Sequence, residues 1–320
     1  MKSQEIQYKI CLIGIYIGEL PDMITMWLTS CRYNPTIDFL VITDRKVKYQ
    51  LPKNVKNLVL SFEEIKQRIQ KNFDFDIVLT RPYKLCDYRV CYGEVFHEYL
   101  KGYDFWGYCD FNVVWGDIRK FITNDILEKN IRIMPHGHFT LIKNNDSCNA
   151  LYRTLKREDV WSYQQVFSVE ETRAFDEWGG DDNLGTTWLF TKNGIPVFVQ
   201  NNYSDISYVK YRLASAENKN NIILFDKGKL KVLSMENGEL QTRELLYAHL
   251  PKRNFKKCYY DSFVVLPHHR LKKCEADSVR NNHLKYFSLD LIDYLGWFMK
   301  KMKNSIVYRM KRFFIKRKGA

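Results

Sequence analysis

The stretch Lys9-Ile-Cys-Leu-Ile-Gly-Ile-Tyr-Ile17 limits what this chain can fold into more than any other feature, because it is a short, nearly continuous apolar run. A run without alternating polar residues suits a strand buried on both faces, as in a sheet covered by helices on each side. The residues that follow keep the matching rhythm. Pro21 to Cys31 fits a helix, Asp38 to Thr43 a second strand ending at Asp44, and Val55 to Leu60 a third. Phe62 to Gln70 is predicted helical, with Glu63 and Glu64 in its first turn, where the dipole favours anions. The spacing predicts one longer helix over Lys84 to Leu100, closed by Gly102. An aromatic strand from Phe105 to Phe111 comes next, followed by Val113 to Trp115. This alternation predicts an α/β fold with a mainly parallel sheet, which binds ligands beyond the carboxyl ends of its strands. Asp44 and Asp110 both fall at such ends. Later, Asn221 to Phe225, Leu230 to Leu233 and Leu240 to Leu246 are separated by Asp226-Lys227-Gly228 and Glu236-Asn237-Gly238, a pattern that predicts a small antiparallel meander.

At 320 residues the chain can bury one enzyme-sized core. Its eight cysteines form no Cys-x-x-Cys pair and several sit in apolar runs, so reduced thiols and a cytoplasmic setting are expected. Residues 1 to 9 lack the apolar stretch of a secretory signal, and no segment has the roughly 18 apolar residues of a spanning helix. The net charge of +13 is concentrated at one end: nine Lys or Arg and no acid lie from Tyr294 onward, leaving 13 − 9 = +4 for the rest. A nearly balanced body argues against a nucleic-acid partner. In the tail, Leu291, Leu295, Phe298, Met302, Ile306, Met310 and Phe313 recur at three- and four-residue spacing, as along one side of a helix surrounded by cations. Such a helix suits an anionic membrane surface, with a helix packed on the body or a basic arm for RNA as the alternatives.

Chemistry concentrates in Glu177-Trp178-Gly179-Gly180-Asp181-Asp182. Paired glycines let the backbone approach a ligand, and adjacent carboxylates offer one group for proton abstraction and another for hydroxyl binding. That combination suits a sugar, although six residues alone also fit an ordinary acidic turn.

The order of three elements, Tyr108-Cys-Asp110-Phe-Asn112, then Trp178-Gly-Gly-Asp-Asp182, then Tyr247-Ala-His249-Leu-Pro-Lys252-Arg253, resembles GT-A glycosyltransferases of bacterial capsule, exopolysaccharide and O-antigen synthesis. Arg81-Pro-Tyr-Lys84-Leu-Cys-Asp87, Gly116-Asp-Ile-Arg119 and Gly137-His138-Phe139 add to the likeness, which runs from about Lys9 to Arg253. The resemblance implies a Rossmann-like, mostly parallel central sheet with flanking helices. It divides the chain into a catalytic domain over residues 1–255 and an extension over 256–320 that carries the basic amphipathic helix.

It also implies roles for particular residues. Asp110, Asn112 and His249 would hold Mn2+ or Mg2+ on the diphosphate of a UDP-sugar, with Asn112 standing where the family pattern has a second acid and bringing an amide oxygen without charge. Lys252 and Arg253 would reach the phosphates. Tyr16, Asp44, Arg81, Lys84 and Asp87 would line the nucleotide pocket, Lys84 and Asp87 alternatively being an (i, i+3) surface ion pair. Asp182 would be the base that deprotonates the acceptor, and Asp181, in place of the family's Glu, would bind a neighbouring hydroxyl. Trp178 would offer a platform for a sugar face or else fill the core. Alternation along one strand would put His136 and His138 on one face, as a metal pair or, since no third ligand follows at close spacing, as core or acceptor-side histidines, His138 being assigned to the acceptor side. The expected reaction is inverting transfer of a hexose such as galactose to a lipid-linked oligosaccharide, at the inner face of the bacterial membrane. A catalytically silent sugar-nucleotide binder and a basic nucleic-acid-binding protein are the other readings.

Overall fold

The apolar run does form an interior strand of a sheet. In this computed structural model, residues 7–180, 183–205, 221–237, 239–251, 255–266 and 270–273 are described, with isolated helical positions between 285 and 305. Strand β1 (Ile10–Tyr16) pairs in parallel with β2 (Ile37–Thr43), which pairs in parallel with β3 (Val55–Val59); on its other side β1 pairs in parallel with β4 (Phe105–Cys109). Strand β5 (Val113–Trp115) leaves this sheet, while β6 (Arg132–His136) and β7 (Phe139–Lys143) form an antiparallel hairpin against β4. The glycine-rich hairpin β8 (Gly179–Gly180) and β9 (Asn183–Leu184) is followed by β10 (Val197–Phe198), which completes the seven-stranded order β10-β6-β7-β4-β1-β2-β3.

Alternate residues of β1 enter two separate cores, as burial on both faces requires. Ile10 and Leu12 pack with Trp27 and Leu28 of helix α1 (Ile24–Arg32), while Cys11 and Ile13 face Ile65 and Ile69 of helix α2 (Phe62–Gln70). Helix α2 starts at a capping box in which the Ser61 hydroxyl accepts from the Glu64 N–H and Glu64 accepts from the Ser61 N–H. The expected longer helix over 84–100 is instead a chain of short α and 3₁₀ turns between Pro82 and Tyr99. Tertiary packing overrides the period there: Lys84 turns inward, and Gly93 lies so close to Trp106 that a Cβ would stand 2.6 Å from the indole.

Strand β11 (Tyr203–Asp205) belongs to a second, three-stranded sheet. The expected meander is present as β12 (Asn221–Asp226), β13 (Lys229–Glu236) and β14 (Glu239–Glu244), the first turn being made by Lys227 and Gly228, both at positive φ. Strand β15 (Tyr247–His249) then joins β11 and β5. Strands β16 (Ser262–Leu266) and β17 (Arg270–Lys273) extend the meander to five strands, so the body continues past residue 255. The seven described cysteines are free and mostly buried. Among the described residues no helix is long and apolar enough to cross a membrane. Ile292, Leu295, Phe298, Met299 and Met302 occupy helical positions and are exposed, whereas Leu291, Ile306, Met310 and Phe313 lie outside the described residues.

Candidate active site

Asp110 follows β4 at its carboxyl end, and the small sheet brings His249 to it across the intervening sequence. The antiparallel register of β15 on β5 pairs His249 with Val113, and the Leu250 N–H donates to the Asn112 carbonyl at 2.8 Å. His249 Nε2 consequently stands 3.9 Å from Asp110 Oδ2. The other imidazole nitrogen, Nδ1, is 2.8 Å from Asp205 Oδ1, its register partner on β11. A carboxylate on Nδ1 fixes the ring so that Nε2 is left to face Asp110.

Asn112 Oδ1 is buried without a hydrogen-bond partner. A buried oxygen in that condition is costly unless it ligates something. The separation of 3.9 Å between Asp110 Oδ2 and His249 Nε2 lies within twice a metal–ligand bond of about 2.1 Å. A carboxylate and an imidazole at that spacing fit a hard divalent cation such as Mn2+ or Mg2+. Among the described residues no three His, Cys, Asp or Glu side chains gather as a metal set.

The Asp110 carboxylate is held from behind by Arg89, whose Nη2 donates to Oδ1 at 2.6 Å. Its Nη1 donates to the Gly137 carbonyl at 2.7 Å and to Asp176 Oδ2 at 3.0 Å. Gly137 has to be glycine for this, because a Cβ would lie 2.6 Å from Asp176 Oδ2 and 2.8 Å from Arg89 Nη1. Asp176 is almost fully buried, and burial pushes its carboxyl up to about 7 against the opposing pull of Arg89. Burial likewise raises Glu177, although its Oε2 accepts from the Gly137 N–H at 3.3 Å and Arg89 and His249 lie nearby.

This acidic pair opens the Trp-Gly-Gly segment, and the sheet fixes its position. The Asp176 carbonyl accepts from Tyr108 Oη at 2.7 Å and from Arg132 Nη2 at 2.6 Å. Asp87 accepts from the N–H groups of Arg173 and Phe175. Lys84 pairs with Asp87 at 2.8 Å and donates to the carbonyls of Val166 and Glu171. Both side chains are 0% exposed, so this pair is an internal clamp on the 166–175 segment and neither a surface ion pair nor, in this arrangement, open to a ligand. Asp181 and Asp182 lie outside the described residues; the strands flanking them pair Gly180 with Asn183. Trp178 is half-buried and meets Trp188 edge to face.

His136 and His138 do come together, but across the Gly137-His138 turn of the β6–β7 hairpin and not along one strand. Their rings stack at 4.9 Å, and His138 stacks on His249 at 4.1 Å. Tyr203 and Tyr247 hydroxyls meet His136 and His138 at Nε2. Burial lowers His136 to about 4 and holds His138 well below its ordinary value, so both are uncharged at neutral pH.

At the carboxyl ends of β1 and β2, Tyr16 packs edge-on against Phe111, and Asp44 accepts from the Gly18 N–H and from Arg45. The Arg45 hydrogen bonds hold the Asp44 carboxyl below its usual range. A cavity of about 190 Å³ opens beside them, lined by Gly18, Thr43, Arg45 and Tyr49 among others. Arg81 is exposed at the start of the first short turn. Lys252 and Arg253 lie outside the described residues. Arg89, Asp176 and Asp205 are the members of the cluster that sequence patterns did not single out: Arg89 sat in a stretch read as ordinary helix, and Asp205 in one given no element.

Residues 12–272 match a family of unknown function, DUF6625. No curated protein matches the sequence. Among solved structures, the chain is similar to a galactosyltransferase, LgtC, solved in complex with donor and acceptor sugar analogues (10% identity over 65% of this chain and 80% of that one, TM-score 0.36). It is also similar to the glycosyltransferase GlyE of Streptococcus pneumoniae TIGR4 (12% identity, 61% and 45%, TM-score 0.33) and to mouse xyloside xylosyltransferase 1 (6% identity, 64% and 89%, TM-score 0.35).

Proposed function

The chain belongs to DUF6625, a family of unknown function, and we propose that it is a glycosyltransferase that moves a hexose from a UDP-sugar to a hydroxyl of a lipid-linked saccharide. The observation that supports this reading is the approach of His249 to Asp110 at the carboxyl end of the central sheet, with Arg89 joining Asp110 to Asp176 at the start of the Trp-Gly-Gly segment.

In this reading Asp110, Asn112 and His249 hold Mn2+ or Mg2+, which offsets the charge gained by the departing diphosphate. Arg89 keeps Asp110 aimed, and Asp205 keeps Nε2 of His249 directed the same way. Tyr16, Asp44 and the small cavity at the ends of β1 and β2 receive the nucleoside, and Arg81, Lys252 and Arg253 serve the nucleotide and its phosphates. Asp182 takes the proton from the acceptor hydroxyl, whose oxygen attacks the anomeric carbon. The bond from that carbon to the UDP oxygen breaks with its electron pair leaving on UDP, so the configuration inverts. Asp181 binds a neighbouring hydroxyl, while Trp178 and His138 stand on the acceptor side. The exposed apolar positions of the tail, surrounded by cations, keep the enzyme at the inner membrane face where such an acceptor resides in capsule, exopolysaccharide or O-antigen synthesis.

The test is release of UDP from common UDP-sugars by purified protein with Mn2+, in wild type and Asp182→Asn. Transfer abolished with donor binding retained supports Asp182 as base, and an active variant removes it from that role. The uncharged Asn112 favours one second reading, a silent sugar-nucleotide binder, for which UDP-sugar would bind without UDP ever being released.

A further inference from the structure

We infer that the chain carries a second ligand site, for a small phosphate-bearing anion, in the cleft at the amino-terminal ends of β1 to β4. This cleft has a volume of about 530 Å³ and is lined by Lys9, Lys56, Lys101 and Arg119, with Asp38 the only carboxylate among its lining residues. It lies at the opposite end of the parallel strands from Asp110, one β1 length or about 20 Å away.

Arg119 is the informative member. Its Nε and Nη2 donate to the Thr36 hydroxyl and to the carbonyls of Thr36 and Tyr8, but Nη1 is buried without an acceptor. No carboxylate pairs with it among the described residues, and burial alone pulls its pKa down with nothing opposing. A half-desolvated guanidinium without a counter-ion is an uncompensated charge, and it adds to the positive potential of the cleft that a phosphate would offset. The surroundings are of one sign. Among the described residues Lys9, Lys56 and Lys101 form no ion pair, whereas Asp38 is already engaged by the Tyr103 hydroxyl at 2.7 Å, and nearby Asp104 by the Lys9 N–H at 2.7 Å. Four cations against one occupied carboxylate make the cleft a receptor for an anion, and its volume admits a sugar phosphate or a lipid headgroup.

Glycerol 3-phosphate binding is measured by calorimetry, and co-sedimentation is measured with vesicles of phosphatidylglycerol or of phosphatidylcholine. The proteins are wild type, Lys56→Gln/Lys101→Gln, Arg119→Gln and Asp110→Asn, all without added metal. The double lysine variant changes exposed side chains, so it keeps the experiment readable if Arg119→Gln fails to fold. We expect glycerol 3-phosphate binding weakened about tenfold or more by Lys56→Gln/Lys101→Gln and unchanged in the Asp110→Asn control, while UDP release by the double lysine variant, assayed separately with Mn2+, stays at the wild-type rate. A reduction of phosphatidylglycerol binding alone in that variant, to the share that the tail supplies, also supports the site and identifies a headgroup as the source. Equal binding by wild type and the double variant in both arms overturns the proposal. Failure of wild type to bind either probe, or loss of glycerol 3-phosphate only in Asp110→Asn, overturns it too.

Discussion

Removing Arg89 should expose how the cluster is balanced. In Arg89→Met, Asp176 (side chain 2% exposed) loses its counter-charge, Asp110 loses a donor at 2.6 Å, and the Gly137 carbonyl loses one at 2.7 Å. Breaking a buried ion pair from one side costs about 3–5 kcal/mol. Asp176 has an escape, since burial already pushes its carboxyl up to about 7 and a proton can replace the lost charge. A carboxyl raised in the folded state favours folding at low pH, and that contribution is lost as pH climbs from the ordinary 3.8 through about 7. Without Arg89 the folded value rises further, so the loss continues at up to about 1.4 kcal/mol per pH unit above 7 while wild type has levelled off. Urea unfolding of Arg89→Met should show about 3 kcal/mol lost at pH 6 and more at pH 8. Asp176→Asn in the same chain should recover at least about 1 kcal/mol in a double-mutant cycle. A loss below about 1 kcal/mol at pH 8, or an additive cycle, would refute the reasoning.

Three further outcomes follow from the same structure. Lys84→Met should destabilise by about 3–5 kcal/mol in urea unfolding, because Asp87 stays buried; a loss under about 1 kcal/mol would show that the internal clamp contributes little. Asp205→Asn should weaken Mn2+ binding, followed by electron paramagnetic resonance, by about 10–100-fold; an unchanged affinity would deny that Asp205 orients His249. Deleting the residues after Asp293 should move the protein from the membrane fraction to the soluble fraction, and unchanged partitioning would contradict the anchor.

Much of the fold was legible because burial on both faces leaves a plain mark. The run from Lys9 to Ile17 became β1 in the interior of the sheet, and the turn at Lys227-Gly228 gave the first hairpin of the meander. Strands β16 and β17 were not anticipated, since their place depends on pairing with β12 across a long separation. The 84–100 stretch misled because its helical period serves a segment packed against Trp106, and because Lys84 and Asp87 look like a surface pair until the 166–175 segment closes over them. Asp110 and His249 could be proposed from motif order, but the distance between them depends on the register of β15 on β5. Arg89 and Asp205 carried no local signal: each is one charged residue in an unremarkable stretch, given its role by a partner far away in sequence.

The most direct test is a crystal of the protein grown with UDP and Mn2+, examined at the manganese edge. The account predicts one anomalous peak bonded to Asp110 and His249 and close to Asn112 Oδ1, with the diphosphate against it and the uracil toward Tyr16 and Asp44. A diphosphate bound elsewhere, or a metal peak away from these three side chains, would contradict it.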